Sequence, residues 1–286
     1  MPDTSEWMAR GQGRAPVDLR TDRPHAARIY DALLGGKTNY GPDRAAAEQV
    51  ASNIPTAQAA VRVNRSFMHR ATRYLAEEAG VRQFLDIGTG IPTSPNLHEV
   101  AQAVAPDSRV VYVDNDPIVL AHSRALHTSE PVGRTAYIDA DVSDPAGILA
   151  SAQLRETLDL GRPVAVSMCL LLHWLPASED PYAVVRHLLG ALVPGSHLVI
   201  THLASDIDPT GVSGLESALA ASGAGVRART RDEVAGFFDG MEPAEPGLVV
   251  PQRWRPERVA PDVGVPEAGV ADDAVPIWAG VAAKRA

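Results

Sequence analysis

FLDIGTGIPTSP, residues 84–95 of the 286-residue chain, joins a short apolar strand to a loop with two closely spaced glycines. Gly88 and Gly90 have no Cβ, so the backbone can turn sharply here and come close to a ligand. In an open α/β sheet, ligands bind at the carboxyl ends of the strands, beside the first strand. The stretch therefore predicts a ligand-binding loop at the edge of such a sheet, although two glycines alone are also typical of a purely structural turn.

Strand-like and helix-like segments alternate around this loop. The predicted strands are residues 82–87, 109–114, 135–139, 163–171 and 196–201. This alternation implies parallel strands with right-handed helical crossovers, which is the doubly wound α/β fold. Residues 247–250 and 275–283 are also strand-like and have no helix between them, so we expect an antiparallel hairpin at the sheet edge.

Helix boundaries in this region are predicted from capping residues. The helix after the glycine loop is expected to begin at Pro95 with Ser94 as its N-cap, because serine caps helices and proline fits the first helical position. Further helices are expected at residues 117–127, after Asp180 and at residues 231–238.

The chain divides into three parts. Residues 1–22 are polar and aperiodic, which predicts a mobile leader. Residues 23–80 are expected to form a helical cap or lid, and residues 81–286 the sheet core, with the segment 255–273 as a surface excursion. The helical patterns of the cap are residues 25–34, 42–52 and 58–79.

Composition excludes several classes of protein. Apolar residues make up 45% of the chain and charged residues 21%, as in globular proteins, and no apolar run is long enough to span a membrane. The first residues lack the apolar centre of a signal peptide, and Cys169 is the single cysteine, so a cytoplasmic protein is expected. The net charge of −9 disfavours a nucleic-acid partner, because phosphate binding requires a basic face.

The glycine loop favours a nucleoside without a diphosphate. A dinucleotide loop would carry a third glycine where this chain has Thr93, and Pro92 before it offers no N–H to an anion. An NAD-dependent oxidoreductase is therefore the disfavoured alternative.

Acidic residues follow the predicted strands at positions that suit an adenosine. Asp114 lies 24 residues after Gly90, the distance at which a carboxylate binds ribose hydroxyls. Asp86 precedes the loop, where it could attract an ammonium or sulfonium group. The acids after the third strand could accept from the adenine amine, and because no hard-cation loop pattern is present, no metal site is predicted. These acids are Asp139, Asp141 and Asp144.

Longer motifs carry a resemblance. The segments DIGTG (86–90), VDND (113–116) and DADV (139–142) resemble class I S-adenosylmethionine-dependent methyltransferases. With ARIYDALLGGKTNYGPDRAAAE (27–48) they resemble a family of actinobacterial S-adenosyl methyltransferases over about residues 23–256. The resemblance implies a Rossmann-like sheet of seven strands with the last antiparallel, S-adenosylmethionine as cofactor and S-adenosylhomocysteine as product.

The resemblance also implies which residues surround the cofactor. For the methionyl part and ribose they are Asp86, Gly88, Thr89 and Gly90, with Asp114 on the ribose hydroxyls. For the adenine they are Asn115, Asp141 and the N–H of Val142. For the sulfonium they are Ser167, Met168 and Cys169.

Other residues have two interpretations each. In the segment 30–43, Tyr30, Lys37 and Asn39 could belong to a lid or to an ordinary helical cap. Arg65 could hold the methionyl carboxylate or lie on a solvated helix face.

Two histidines are candidate general bases. His173 and His202 follow the fourth and fifth strands, and a base is required only if the acceptor must lose a proton. A structural role is the alternative for both.

The sequence thus predicts methyl transfer to a small-molecule acceptor. Two alternatives are not enzymes: a cofactor-binding protein that has lost catalysis, and a protein that binds another chain through the same fold.

Overall fold

The computed structural model describes residues 18–126, 132–221, 225–258 and 269–285. Residues 1–17 of the expected leader, residue 127 of an expected helix and residues 259–268 of the expected excursion 255–273 lie outside this part of the chain. No helix among the described residues is both long and apolar enough to cross a bilayer.

The strands form one mixed sheet in the order β3-β2-β1-β4-β5-β7-β6. They are β1 (Gln83–Ile87), β2 (Arg109–Asp114), β3 (Arg134–Asp139), β4 (Ala165–Cys169), β5 (His197–Leu203), β6 (Met241–Pro243) and β7 (Ile277–Lys284). Strand β7 runs antiparallel to both of its neighbours, and the other strands share one direction. The predicted seven-stranded sheet with its last strand antiparallel is confirmed.

Helices cover both faces of the sheet and its carboxyl edge. They are α1 (Ala26–Leu34), α2 (Gly41–Asn53), α3 (Ala57–Glu77), α4 (Leu97–Val104), α5 (Pro117–Leu126), α6 (Pro145–Ala150), α7 (Ala152–Thr157), α8 (Pro181–Gly190), α9 (Pro209–Ala221) and α10 (Arg231–Ala235). Strand β1 is buried along its whole length, as a central strand covered on both faces should be.

A separate apolar cluster joins the helices α1–α3 to the rest of the molecule. In it Ile29 of α1 and Val61 of α3 are packed with Leu203 at the end of β5 and Leu215 of α9. Burial of such side chains contributes roughly 1.5–3 kcal/mol each. The N-terminal helices are thereby fixed at the carboxyl edge, where the glycine loop also lies.

The prediction of a strand at residues 247–250 is wrong. Strand β6 lies earlier, at Met241–Pro243, and Val249 keeps only an isolated antiparallel bridge to Ala279. Pro243 and Pro246 have no N–H to donate to a ladder, so the regular pairing with β7 is interrupted between the end of β6 and Val249. The hairpin itself is antiparallel and lies at the sheet edge, as predicted.

The helix after the glycine loop begins later than predicted. Asn96, not Ser94, is the N-cap of α4, and the Glu99 carboxylate accepts hydrogen bonds from the backbone and side-chain amides of Asn96. This capping box competes better for the helix start than Ser94 and Pro95 do. Pro95 stays outside the helix.

The fourth strand is shorter than predicted. It ends at Cys169, because Leu170 adopts a φ of 50° and leaves the ladder. A 3-10 turn, Leu172–Trp174, follows and places His173 over the carboxyl edge.

Candidate functional site

A cavity of about 610 Å³ lies at the carboxyl edge of the sheet. One end, the strand end, is formed by the residues that follow β1, β2 and β3, chiefly 86–90, 114–116 and 140–142. The other end, which we call the apolar chamber, is walled by side chains of α1–α3, β5 and α9. These are Leu33, Ile54, Val61, Leu203, Leu215 and Leu219.

The glycine loop is shaped by left-handed residues. Gly88 has a φ of 72° and Gly90 a φ of 71°. A Cβ on Gly88 would meet the side chain of Leu171 at 2.7 Å, whereas nothing lies within 4 Å of a Cβ built on Gly90. The loop is held from below by the Thr89 hydroxyl, which donates to the carbonyl of Asp86 over 3.1 Å. Backbone at Gly90 is therefore free to approach a ligand in the cavity.

Asp114 is a buried carboxylate at the end of β2. Its Oδ2 accepts from the N–H of Gly90 over 2.8 Å, and its Oδ1 accepts from the N–H of Asp116 over 3.0 Å. Burial raises the pKa of Asp114 despite these two hydrogen bonds. The carboxylate thus connects the end of β2 to the glycine loop by a hydrogen bond. It can also accept a hydrogen bond from a hydroxyl group of a ligand.

Asn115 and Asp141 form a pair beside Asp114. The Asn115 amide donates to Asp141 Oδ2 over 2.6 Å, and Ser143 donates to Asp141 Oδ1 through its N–H and its hydroxyl. Burial alone would raise the pKa of Asp141, but these hydrogen bonds hold it below its usual value. Val142 lies beside them in the cavity wall, as the sequence predicts.

Asp86 of β1 and Arg65 of α3 both line the cavity. Burial raises the pKa of Asp86 to about 7; a hydrogen bond from Ser167 opposes the rise, and the carboxylate of Asp114 adds to it. The guanidinium of Arg65 donates to the carbonyl of Pro95 over 2.8 Å. Among the described residues no carboxylate lies within ion-pair distance of Arg65. A mostly buried cation is therefore available to an anionic group of a ligand.

His173 lies in the cavity wall, and within the described part of the chain its buried Nδ1 has no hydrogen-bond partner. Burial, together with His202 and Arg229, lowers its pKa well below the usual range. A neutral imidazole at this position can hydrogen-bond a ligand, but it is a weak proton acceptor.

The structure does not bring His202 or Met168 into the cavity wall. His202 is buried, with Nδ1 2.8 Å from the carbonyl of Leu203 and Nε2 2.7 Å from the guanidinium of Arg229. Met168 lies in the core beneath the sheet edge, and the next residue, Cys169, lines the cavity instead. Successive side chains of a strand point to opposite faces, which explains why neighbours differ.

The segment 30–43 contributes Tyr30 and the chamber residue Leu33 to the cavity wall. Tyr30 lines the cavity, and its hydroxyl donates to the carbonyl of Val61 over 2.8 Å. Lys37 is exposed, and Asn39 donates to the carboxylate of Asp31 and to the carbonyl of Gly36, so neither reaches the cavity. Here the glycine-rich segment is a turn folded around Asp31.

We expect Gly36→Ala to destabilise the protein and Lys37→Ala to leave it unchanged. A Cβ on Gly36 would lie 2.0 Å from Asp31 Oδ1, and the N–H of Thr38 and the Asn39 amide hold that carboxylate in place through its Oδ2. Displacing that carboxylate should cost about 1–3 kcal/mol of unfolding free energy. Urea denaturation of both variants measures it, and an unchanged midpoint for Gly36→Ala would contradict this description of the turn.

Sequence reasoning missed an ion-pair network between α1 and the end of β2. Arg28 Nε lies 3.0 Å and His25 Nδ1 3.1 Å from Asp116 Oδ2, and Arg28 also lies 3.5 Å from Asp43. Both Arg28 and Asp116 are buried. The available signal was Asp116 in the VDND motif, because a second acid after β2 needs a partner.

The chain is similar to known families and structures. The family model described as S-adenosyl methyltransferase matches residues 12–285. A DUF574 family protein from Streptomyces avermitilis is 44% identical, with 93% of this chain and 100% of that chain covered at a TM-score of 0.88. A candidate methyltransferase from Thermobifida fusca is 40% identical, with coverage of 94% and 97% and a TM-score of 0.84.

A more distant structure shares the fold. The plantazolicin methyltransferase BpumL, solved with a desmethyl substrate analogue and S-adenosylhomocysteine, is 12% identical at a TM-score of 0.53, with 91% of this chain and 95% of that chain covered. None of the curated proteins matches the chain.

Proposed function

The chain belongs to the S-adenosyl methyltransferase family, and from this premise we propose that it methylates a small molecule bound in the apolar chamber of the cavity. Its cofactor is S-adenosylmethionine. The observation that carries the proposal is the continuity of one cavity from the strand end to the apolar chamber, which allows two ligands to meet inside the protein.

The residues of the strand end suit the chemistry of the cofactor. The whole cavity has a volume of about 610 Å³, which lies within the range of small-molecule sites. Gly90 leaves room for close approach, Asp114 offers a carboxylate for ribose hydroxyls, and Asn115 and Asp141 offer amide and carboxylate groups for an adenine. We assign Asp86 to the ammonium group and Arg65 to the carboxylate of the methionyl part, since the two side chains have opposite charges and both face the cavity.

S-adenosylmethionine would supply a methyl group bound to its sulfonium sulfur, and S-adenosylhomocysteine is the leaving group when the acceptor atom bonds the methyl carbon. The residues of this chain bind and orient the two molecules, and such positioning can account for much of the rate of an in-line displacement. His173 and Tyr30 lie in the wall as neutral groups, because burial lowers the pKa of His173 and raises that of Tyr30 to about 12. We therefore propose hydrogen bonding for both, with His173 no longer favoured as a strong base.

A small acceptor suits a chamber walled by buried side chains better than a macromolecule does. The chamber lies beneath α1 and α9, and the chain carries a net charge of −9, which opposes a polyanionic partner.

Asp114→Ala should weaken the binding of S-adenosylhomocysteine by about 1–3 kcal/mol, because buried hydroxyls and the N–H of Gly90 would lose their acceptor. Isothermal titration calorimetry measures the change. Asp139→Ala is the matched control, since Asp139 ends the neighbouring strand β3 but is exposed and does not line the cavity.

Equal affinity for the two variants would remove Asp114 from the site. Binding of NAD in place of the S-adenosyl compounds would favour the oxidoreductase instead.

A further inference from the structure

We infer that the methyl acceptor is an uncharged, mostly apolar small molecule that donates one hydrogen bond to Asn64. The inference rests on the proposed function, because it assigns the apolar chamber to the acceptor of the same reaction. It adds the chemical class of that acceptor and a residue that recognises it.

The chamber wall is unsuited to an ion. Its six leucine, isoleucine and valine side chains belong to the cluster that joins α1–α3 to α9, and each is buried. A charged group placed among them would lose its hydration without gaining a partner, which disfavours an ionic ligand there. Charged side chains of both signs line other parts of the cavity, and none of them is part of this cluster: they are Asp86, Asp114, Asp116, Asp141, Glu179, Arg20, Arg23, Arg28 and Arg65.

Asn64 places a buried polar side chain in the cavity wall beside the apolar cluster. It is 3% exposed, and it lines the cavity from α3, one turn beyond Ala60. Its Nδ2 donates to the hydroxyl oxygen of Tyr30 over 3.0 Å, while the Tyr30 hydroxyl donates to the carbonyl of Val61. Since Tyr30 has already used its proton, its oxygen must accept, and this fixes which way the Asn64 amide points.

The other amide atom, Asn64 Oδ1, is buried and has no hydrogen-bond partner among the described residues. Native proteins rarely leave a buried acceptor without a donor. An O–H or N–H group of a ligand in the chamber would satisfy it. His173 Nδ1 also lies in the wall, and no described residue hydrogen-bonds to it. It can accept or donate according to its tautomer, so it does not require a charged ligand.

Three naphthalenes of similar size test the inference with the full chain. 2-Naphthol is neutral and carries a donor, 2-methoxynaphthalene lacks the donor, and 2-naphthoate adds a negative charge. Their dissociation constants are measured by calorimetry near neutral pH, with and without S-adenosylhomocysteine. We expect 2-naphthol to bind about 5- to 10-fold more tightly than 2-methoxynaphthalene, the effect of one hydrogen bond, and 2-naphthoate to bind most weakly.

Two variants locate the binding. Asn64→Leu keeps the volume and removes the acceptor, so the preference for 2-naphthol over its methyl ether should fall to near unity. Gln58→Leu on the exposed face of α3 is the matched control and should keep that preference. Val61→Phe should fill the chamber and weaken all three compounds, and affinity for S-adenosylhomocysteine should stay within about twofold in each variant.

Tightest binding of 2-naphthoate, an intact preference in Asn64→Leu, or no binding of any naphthalene would each overturn the inference. Failure of S-adenosylhomocysteine to bind would instead count against the proposed function. The two failures are distinguishable because the titrations without nucleoside still measure the chamber.

Discussion

Replacement of Arg65 by methionine is expected to weaken S-adenosylhomocysteine binding by about 2–4 kcal/mol, or roughly 30- to 1000-fold. The guanidinium faces the cavity from α3, it is mostly buried, and within the described chain it has a carbonyl but no carboxylate as partner. If it holds the methionyl carboxylate, its loss leaves that anion desolvated and unpaired. Methionine preserves much of the apolar stem, so packing changes little.

A truncated nucleoside separates this role from a structural one. 5′-Methylthioadenosine has the adenosine but no methionyl carboxylate or ammonium, so its affinity should be the same in wild type and Arg65→Met. Arg62→Ala, an exposed arginine on the same helix, is the control variant and should bind both compounds normally. Equal losses for both nucleosides in Arg65→Met would show that the loop around Pro95 had collapsed and would contradict the assignment.

The affinity for S-adenosylhomocysteine should also depend on pH through Asp86. Burial raises the pKa of this carboxyl to about 7, so below neutral pH it is protonated and cannot pair with an ammonium group. Affinity should therefore rise with pH and level off above about pH 8, with a loss of about tenfold between there and pH 6. Calorimetry across this range measures it, and 5′-methylthioadenosine should show no such dependence.

Asp86→Asn provides the control for this titration. The variant should lose the pH dependence and most of the affinity. Because the folded protein holds the Asp86 proton more tightly than the unfolded chain does, its unfolding free energy falls as the pH rises from about 4 to about 7. Ligand-free Asp86→Asn should thus melt higher than wild type above pH 7. A pH dependence that survives in the variant would assign the titration to another group.

Much of the fold could be predicted because local signals agreed with one another. The glycine loop, the apolar strands and the acids at their ends define a parallel sheet, and the structure places Asp86, Gly90 and Asp114 at one carboxyl edge. The N-cap of α4 was predicted at Ser94 and lies at Asn96, because two sets of helix-start residues compete within a few positions. The prediction of a strand at residues 247–250 failed because Pro243 and Pro246, just before this stretch, interrupt the pairing with β7, although the composition of the stretch favours a strand.

The apolar chamber could not be predicted, since its walls come from segments distant in sequence. Val61 and Leu215 meet only after the sheet has brought α3 and α9 together. The two histidines also could not be distinguished, because strand position does not say which side of the edge a side chain faces. Only His173, on a turn outside the strand, reaches the cavity.

The most direct test of the central claim is a thermal-shift titration of the full chain with S-adenosylmethionine, S-adenosylhomocysteine and NAD in parallel. A ligand at about 100 times its dissociation constant adds about 2.7 kcal/mol to stability, which is a shift of several degrees for a protein of this size. We predict such a shift with both S-adenosyl compounds and none with NAD. A shift with NAD alone, or with none of the three, would contradict the assignment of this cavity to S-adenosylmethionine.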